Sequence, residues 1–283
     1  MIAPIDQDQN FKKILEMILT DKGFDGSHYK INYIKRRIAV RMRATGAPNY
    51  DEYYKILKSD PRELSFLFDR LTIHVTEFFR DPEVYRAIQG ANIANVTKDR
   101  LQQIKVWCAG CSTGEEPYSV AMLLKEKAVD NPCMEFQIYA TDIDPISIKT
   151  AAQGIYPLEA LRKLTKTQIA RWFFIRGEKA RIVEELRRFV FFRPHDLLGH
   201  WSPELSGFHM IFCRNLLIYL TSTQQQKLYE RFYYSLKPGG YLVLGLSETL
   251  LGTARKYYRC VDVKNRIYQA NLIDDPGCNS PKG

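Results

Sequence analysis

The chain has 283 residues, enough for one large domain or two ordinary ones with a substantial core. With 45% hydrophobic and 26% charged residues its composition is globular, which excludes a wholly disordered or collagen-like chain. The net charge of +9, from 41 Lys and Arg against 32 Asp and Glu, points to an anionic partner: nucleic acid, a membrane surface or an acidic protein.

No apolar run approaches the roughly 18–20 residues that cross a bilayer. The first eight residues lack a basic region and a hydrophobic stretch, so no signal peptide and no membrane insertion are expected. The six cysteines are few and irregularly spaced, as expected for reduced thiols in a cytoplasm.

Residues 1–75 read as helices. Phe11, Ile14, Leu15, Ile18 and Leu19 recur at helical spacing, and Gly23 is a stop. Tyr29–Thr45 is a second helix, with Lys30, Lys35, Arg36, Arg37, Arg41 and Arg43 and no acidic residue. Asn49–Leu57 and Pro61–Leu71 follow, the latter with proline in its first turn, where the missing N–H costs nothing.

Beyond about residue 100, strands alternate with helices. Ile104–Trp107, Phe136–Ala140, Phe189–Phe192, His209–Cys213 and Tyr241–Leu246 read as strands; Glu115–Lys127, Pro145–Gln153 and Ser222–Leu236 read as helices. This predicts an open, mostly parallel α/β sheet. Residues 155–195 interrupt it, with helical text at Leu158–Leu164 and Thr167–Phe173 and a turn at Arg176-Gly177, and read as a small inserted subdomain. Tyr258–Val263 and Arg266–Ala270 read as a terminal hairpin, and Asp274–Gly283 as a disordered tail.

The most informative stretch is Val106-Trp-Cys-Ala-Gly-Cys-Ser-Thr-Gly-Glu-Glu-Pro-Tyr-Ser119, a strand entering a glycine turn and leaving as a helix. Ligands of open α/β sheets bind at this end of the strands, and Gly110 and Gly114 let one approach the backbone. The spacing is not that of a dinucleotide fingerprint, and Glu115 and Glu116 would repel a pyrophosphate at the helix start. A cationic ligand without phosphate, such as S-adenosylmethionine, is the better match. Asp142, at the tip of the next strand, suits a pair of ribose hydroxyls; its alternative role is to cap the following helix. Cys108 and Cys111 form a Cys-x-x-Cys pair with no second pair to complete a zinc site, and no metal is expected.

Thr76-Glu-Phe-Phe-Arg-Asp81, Ser112-Thr-Gly-Glu-Glu-Pro-Tyr-Ser119, Thr141-Asp-Ile-Asp144, Phe212-Cys-Arg-Asn-Leu-Leu-Ile-Tyr219 and Lys237-Pro-Gly-Gly-Tyr241 together resemble the chemotaxis receptor methyltransferases, the CheR family, from about residue 10 to 270. The resemblance implies an α/β fold: a Rossmann-like class I S-adenosylmethionine-dependent methyltransferase sheet over 76–273, a β-subdomain inserted at about 174–194, and an all-helical N-terminal domain at 1–75. It implies a protein-glutamate O-methyltransferase that acts on the cytoplasmic helices of chemoreceptors and releases S-adenosylhomocysteine.

Carried over by motif, the cofactor contacts are His74, Thr76, Arg80, Gly110, Glu116 (with Glu115 competing), Asp142, Asp196, Leu197, Arg214 and Asn215. Arg80, Arg214 and Tyr219 are the catalytic candidates. His74 and Asp196 depart from the family, which carries asparagine at both places. A glutamate carboxylate is already ionised at neutral pH, so methyl transfer to it needs no strong base; holding the reactants in line and excluding water suffices. Arg214 suits an anionic group and Tyr219 one hydrogen bond. Alternatives are an ion pair of Arg80 with Glu77 and ordinary packing for Tyr219. His195, His200 and His209 read as structural, and Phe78, Phe79, Phe191 and Phe192 as core.

Lys35, Arg36, Arg37, Arg41 and Arg43 are expected to bind an acidic receptor bundle. A nucleic-acid methyltransferase would turn them on phosphates, but Arg214-Asn-Leu-Leu217 stands where base methyltransferases commonly carry Pro-Pro, and the chain has no Pro-Pro pair. An exposed helix without a partner and an inactive cofactor-binding regulator are the remaining alternatives. The turn at 177–181 is short, which predicts recognition independent of a receptor tail peptide, by a monomer.

Overall fold

The computed structural model describes residues 4–72, 74–91, 103–128 and 135–272. The expected tail at 274–283 lies outside them. The chain divides into two compact units: Met1–Ile73 with Tyr219–Gln224, and His74–Ile218 with Gln225–Gly283.

The first unit holds α1 (Pro4–Lys22), α2 (Ile31–Thr45), α3 (Tyr50–Ser59) and α4 (Pro61–Leu71). Gly23, at φ +67°, follows α1, and Gly46, at φ +74°, caps α2, a backbone region open to glycine at little cost. Asp60 accepts from the Arg62 amide at the start of α4, with Pro61 at the first helical position. Phe11, Ile14, Ile18, Ile34, Ile38, Leu57 and Leu67 fill the interior. Residues 219–224, which the sequence reading left with the sheet, belong here: the Lys30 amide donates to the Tyr219 carbonyl at 2.8 Å, and the Thr221 amide to the His28 carbonyl at 3.0 Å.

Helix α2 differs from its sequence reading in one functional respect. Arg41 faces inward, and Glu63 of α4 accepts two hydrogen bonds from it at 2.5 and 2.9 Å. The Tyr53 hydroxyl donates to the same carboxylate at 2.7 Å. Glu63 is 4% exposed, so this is a buried pair satisfied by its neighbours.

The second unit follows with α5 (Pro82–Ala91), β1 (Ile104–Ala109), α6 (Glu115–Ala128), β2 (Phe136–Asp142), α7 (Pro145–Gln153), β3 (Ile155–Pro157), α8 (Lys166–Trp172), β4 (Phe173–Arg176), β5 (Lys179–Ile182), β6 (Val190–Pro194), β7 (Phe208–Cys213), α9 (Ser222–Ser235, whose start counts with the first unit), β8 (Leu236–Leu244), β9 (Tyr258–Asp262) and β10 (Ile267–Ala270). The main sheet runs β6-β2-β1-β7-β8-β10-β9. The first five strands are parallel; β10 and β9 are antiparallel. Strand order reverses at β1, which lies between β2 and β7, the switch point where such sheets bind ligands.

Alternate side chains of β1 pack on opposite faces. Val106 and Cys108 join a core with Phe78, Tyr118 and Tyr156. Trp107 turns the other way, against Trp201 at 4.9 Å and Phe232 at 5.6 Å, and its indole N–H donates to Thr141 Oγ1 at 2.9 Å.

The inserted subdomain is a separate antiparallel sheet, β3-β5-β4, that begins at Ile155, where the strand–helix alternation breaks, and not only at the narrower 174–194. Phe189–Phe192, read both as a strand of the open sheet and as part of the insert, falls on the edge strand β6 of the main sheet. Leu158–Leu161 is a single 3-10 turn rather than a longer helix. Strand β8 starts earlier than its apolar run, because Lys237–Gly240 bulges between the Phe208↔Leu236 and Met210↔Tyr241 pairings. Phe78 is fully buried, but Phe191 is 44% exposed on the edge strand, so it is not core.

His209 is buried on β7 and accepts from the Lys105 amide at Nδ1, 3.0 Å away, with Lys237 Nζ 3.0 Å from Nε2. Burial, with the Lys237 charge beside it, holds its imidazole down at about 4, against an ordinary 6.5. The folded state therefore favours the neutral ring, whose contribution to stability is complete above about pH 6.5 and is lost as pH falls towards 4. Thermal midpoints of wild type and His209→Gln, compared across that window, should differ in slope, with wild type the steeper.

Candidate active site

Strand β1 ends in a loop of left-handed residues, Gly110 (φ +81°), Ser112 (φ +49°) and Gly114 (φ +97°), before α6 begins at Glu115. The Gly110 and Cys111 amides both donate to the Thr141 carbonyl, at 2.8 and 2.9 Å. The Ser112 amide donates to Asp142 Oδ2 at 2.8 Å, and the Asp144 amide to Asp142 Oδ1 at 3.0 Å. Asp142 thus ties the tips of β1 and β2 together, and each oxygen keeps a lone pair for a further donor. Burial pushes its carboxyl up, against the pull of those two amides. The helix α7 is capped not by Asp142 but by Asp144, which accepts from Ile146 and Ser147.

The two glutamates of the turn part ways. Glu115 is 6% exposed and accepts from Thr113 Oγ1 at 2.8 Å. Glu116 is half-buried and faces Arg214 Nη1 at 3.3 Å. Burial pushes the Glu116 carboxyl up, and the Arg214 charge opposes it.

Arg214, at the end of β7, is the hub. Its side chain is 2% exposed, and Nη2 meets Asp81 Oδ2 at 2.7 Å and the Arg80 carbonyl at 3.0 Å. The guanidinium is therefore engaged by two carboxylates of its own chain. Arg80 is half-buried and donates from Nη1 to the Val75 carbonyl at 2.8 Å. The alternative ion pair of Arg80 with Glu77 gives way to Lys163, which pairs closely with Glu77, and to Arg162 at 3.7 Å.

Among the described residues, five other than glycine have positive φ, and four of them, Phe79, Asp81, Ser112 and Asn215, sit in the motif segments. Such strain persists where surroundings over-determine it, as at functional sites.

The other expected contacts fall on the same unit. His74 Nδ1 lies 2.9 Å from Ser147 Oγ and Nε2 3.8 Å from Asp144, so it serves the α7 start beside Asp142. Thr76 is half-buried. Asp196 accepts from the Leu198 amide at 2.9 Å, and the buried Leu197 offers its carbonyl to Trp201 and Arg231. Tyr219 counts instead with the helical unit, its ring 4.7 Å from that of Tyr33, over which Arg37 lies at 5.3 Å. Of the expected receptor contacts, Arg36 and Arg43 are exposed, Lys35 and Arg37 half-buried, and Arg41 is committed to Glu63.

Glu248 belongs to no motif singled out from the sequence, yet its buried carboxylate accepts from the amides of Asn215, Leu217, Ile218 and Gly245. The only sequence signal is an acidic residue shortly after an apolar strand, too common to stand out.

Cys108 and Cys111 are buried free thiols whose ionisation burial pushes well up, which leaves them poor nucleophiles and metal ligands. No cluster of three or more potential metal ligands occurs among the described residues. None of the described helices is long and apolar enough to cross a membrane.

S-adenosylmethionine fits this donor set. Carboxylates at Asp142 and Glu116 suit ribose hydroxyls and a cation, and three buried polar atoms on the loops after β1, β6 and β7 lack a partner: Ser112 Oγ, His195 Nε2 and Arg214 Nε.

Comparison with known proteins agrees. Residues 74–267 match the family model "CheR methyltransferase, SAM binding domain", and residues 9–72 match "CheR methyltransferase, all-alpha domain". The chain is 32% identical over 249 residues to a chemotaxis protein methyltransferase of Listeria monocytogenes, covering 88% of this chain and 93% of that one. It is 33% identical over 257 residues to the chemotaxis protein methyltransferase of Escherichia coli, covering 88% and 87%. It is also 34% identical over 268 residues to an uncharacterized 104.1 kDa protein of Rhodobacter capsulatus, where it covers 91% of this chain but spans only 27% of the longer protein. Two family models of one kind cover residues 9–72 and 74–267, and relatives at 32–33% identity are matched over most of their length: the chain belongs to the CheR methyltransferase family.

Proposed function

We propose that the chain methylates glutamate side chains on the cytoplasmic helices of chemoreceptors, giving glutamate 5-O-methyl esters and S-adenosylhomocysteine. The observation that carries this is the acidic glycine turn at the sheet's switch point, where Glu116 and Asp142 flank one loop and phosphate-binding cations are replaced by carboxylates. S-adenosylmethionine, when bound, would supply an electrophilic methyl carbon on a sulfonium; a receptor carboxylate in line with the C–S bond would form the new O–CH3 bond as S-adenosylhomocysteine leaves.

This chain's residues do the rest. Asp142 takes the ribose hydroxyls, Glu116 the cationic end of the methionine moiety, and Asp196 the adenine amino group. Gly110 brings the backbone close. Arg214 holds Glu116 and Asp81 in place, and the remaining donors of Arg80 orient the incoming carboxylate. No general base is needed, because the glutamate arrives ionised. Mass spectrometry of receptor incubated with enzyme and cofactor should find a methyl group on glutamate-containing helical peptides; methylation confined to lysines, or none, overturns the reading.

The exposed part of α2 steers the acidic bundle. Arg36→Glu with Arg43→Glu should lower receptor kcat/KM by about tenfold at low ionic strength, with the affinity for S-adenosylhomocysteine unchanged by calorimetry. Residues Gly177 and Glu178 alone join β4 to β5, with Arg176 paired to Lys179. So tight a turn supports recognition without a tail peptide, and a receptor shortened at its C-terminus should be methylated at the same rate in the same assay.

A further inference from the structure

Glu248 follows β8 in the sequence Gly245-Leu-Ser-Glu248 and is 3% exposed. Its Oε2 accepts from the Asn215 amide at 2.9 Å and the Gly245 amide at 2.7 Å. Its Oε1 accepts from Leu217 at 2.7 Å and Ile218 at 3.3 Å. Four backbone N–H groups thus stand in for the water that the buried carboxylate has lost.

The geometry is specific to a carboxylate. Asn215 lies at φ +60°, a left-handed turn that asparagine takes more readily than other side-chain-bearing residues. Gly245 leaves no room to spare: a Cβ there would lie 2.7 Å from the Asn215 nitrogen and 2.8 Å from Glu248 Oε2. On the far side of the loop Gln225 Nε2 donates to the Leu217 carbonyl at 2.8 Å. The loop fixed in this way begins at Arg214, the residue that meets Glu116 and Asp81.

We propose that Glu248 is a positioning residue for methyl transfer: its paired acceptor oxygens clamp residues 215–218 between β7 and β8 and so aim Arg214 and Asn215 at the cofactor. The proposal rests on the S-adenosylmethionine site described above and extends it to a residue that touches neither cofactor nor substrate.

Glu248→Gln tests it, because it keeps size and shape but turns an NH2 group towards two amide donors. The variant should bind S-adenosylhomocysteine at least about tenfold more weakly by calorimetry. Amide hydrogen exchange over 214–218 should accelerate while β1 and β2 stay protected. Ile182→Ala, in the small antiparallel sheet, provides a destabilised control whose affinity should not change. If the glutamine variant is insoluble, Glu248→Asp, too short to reach all four amides, is read by the same two measurements. A lowered melting temperature with wild-type affinity and wild-type exchange at 214–218 would reduce Glu248 to a stability residue and overturn the proposal. Wild-type protein that binds no S-adenosylhomocysteine would contradict the cofactor site itself, and the exchange data would still decide whether Glu248 holds the loop.

Discussion

Arg214→Ala should cost about 3–5 kcal/mol of stability, because it strands carboxylates at a site built around their partner. Glu116 faces Arg214 Nη1 at 3.3 Å and Asp81 faces Nη2 at 2.7 Å, with Arg214 itself 2% exposed at the side chain. Without the guanidinium the two acids repel, and burial already pushes the Glu116 carboxyl up. The variant should therefore unfold at lower denaturant and lose all measurable methyl transfer. Arg214→Lys separates the two effects. A single ammonium restores part of the charge balance and so part of the stability, but it cannot span Asp81, Glu116 and the Arg80 carbonyl at once. Urea titrations of the three proteins give the stabilities, and calorimetry with S-adenosylhomocysteine gives the site.

Gly114→Ala has the second largest expected effect. The backbone there lies at φ +97°, outside the range that L side chains adopt. A Cβ would stand 2.8 Å from Ala151 Cβ and 2.9 Å from Tyr156 Oη, which donates to the Thr113 carbonyl of the same turn. Conformational strain of about 1–2 kcal/mol and overpacking of about 1–3 kcal/mol add to a loss of roughly 2–5 kcal/mol, and the turn that presents Ser112 and Glu116 must shift. Gly177→Ala is the matched control: it also has positive φ, +57°, but a Cβ there meets nothing within 4 Å. That variant should lose only about 1 kcal/mol and keep its cofactor affinity.

Signals that run along the chain are legible in the sequence, and those that join distant residues are not. Pro61–Leu71 was legible to the residue, and Pro145 to about Gln153 nearly so, because proline marks their first turn and their apolar spacing is regular. The glycine turn was legible because strand, glycines and acids are contiguous. Arg41 was misread as a free cation because its partner, Glu63, lies 22 residues away on another helix, and a charge counted along one helix says nothing of the helix beside it. The bounds of the small sheet were ambiguous because β3 is only three residues long and β6, although next to it in sequence, hydrogen-bonds to β2. Tyr219 came with the sheet's motif, yet its backbone pairs with residues 28–30 of the helical unit. Glu248 escaped altogether, since its partners are backbone amides and carry no residue signature.

The choice between Glu115 and Glu116 shows the same limit. Both open α6, and spacing alone ranks neither. Only the packing, with Glu115 turned to Thr113 and Glu116 to Arg214, separates them.

We propose that this acidic turn serves methyl transfer to a carboxylate. Its most direct test is incubation of the protein with S-adenosylmethionine labelled in the methyl group and with membranes that carry chemoreceptors, followed by mild base. Label on the receptor band, released by base as methanol and absent with the Asp142→Asn variant, is the predicted result. Label that resists base, or that appears on nucleic acid instead, would contradict it.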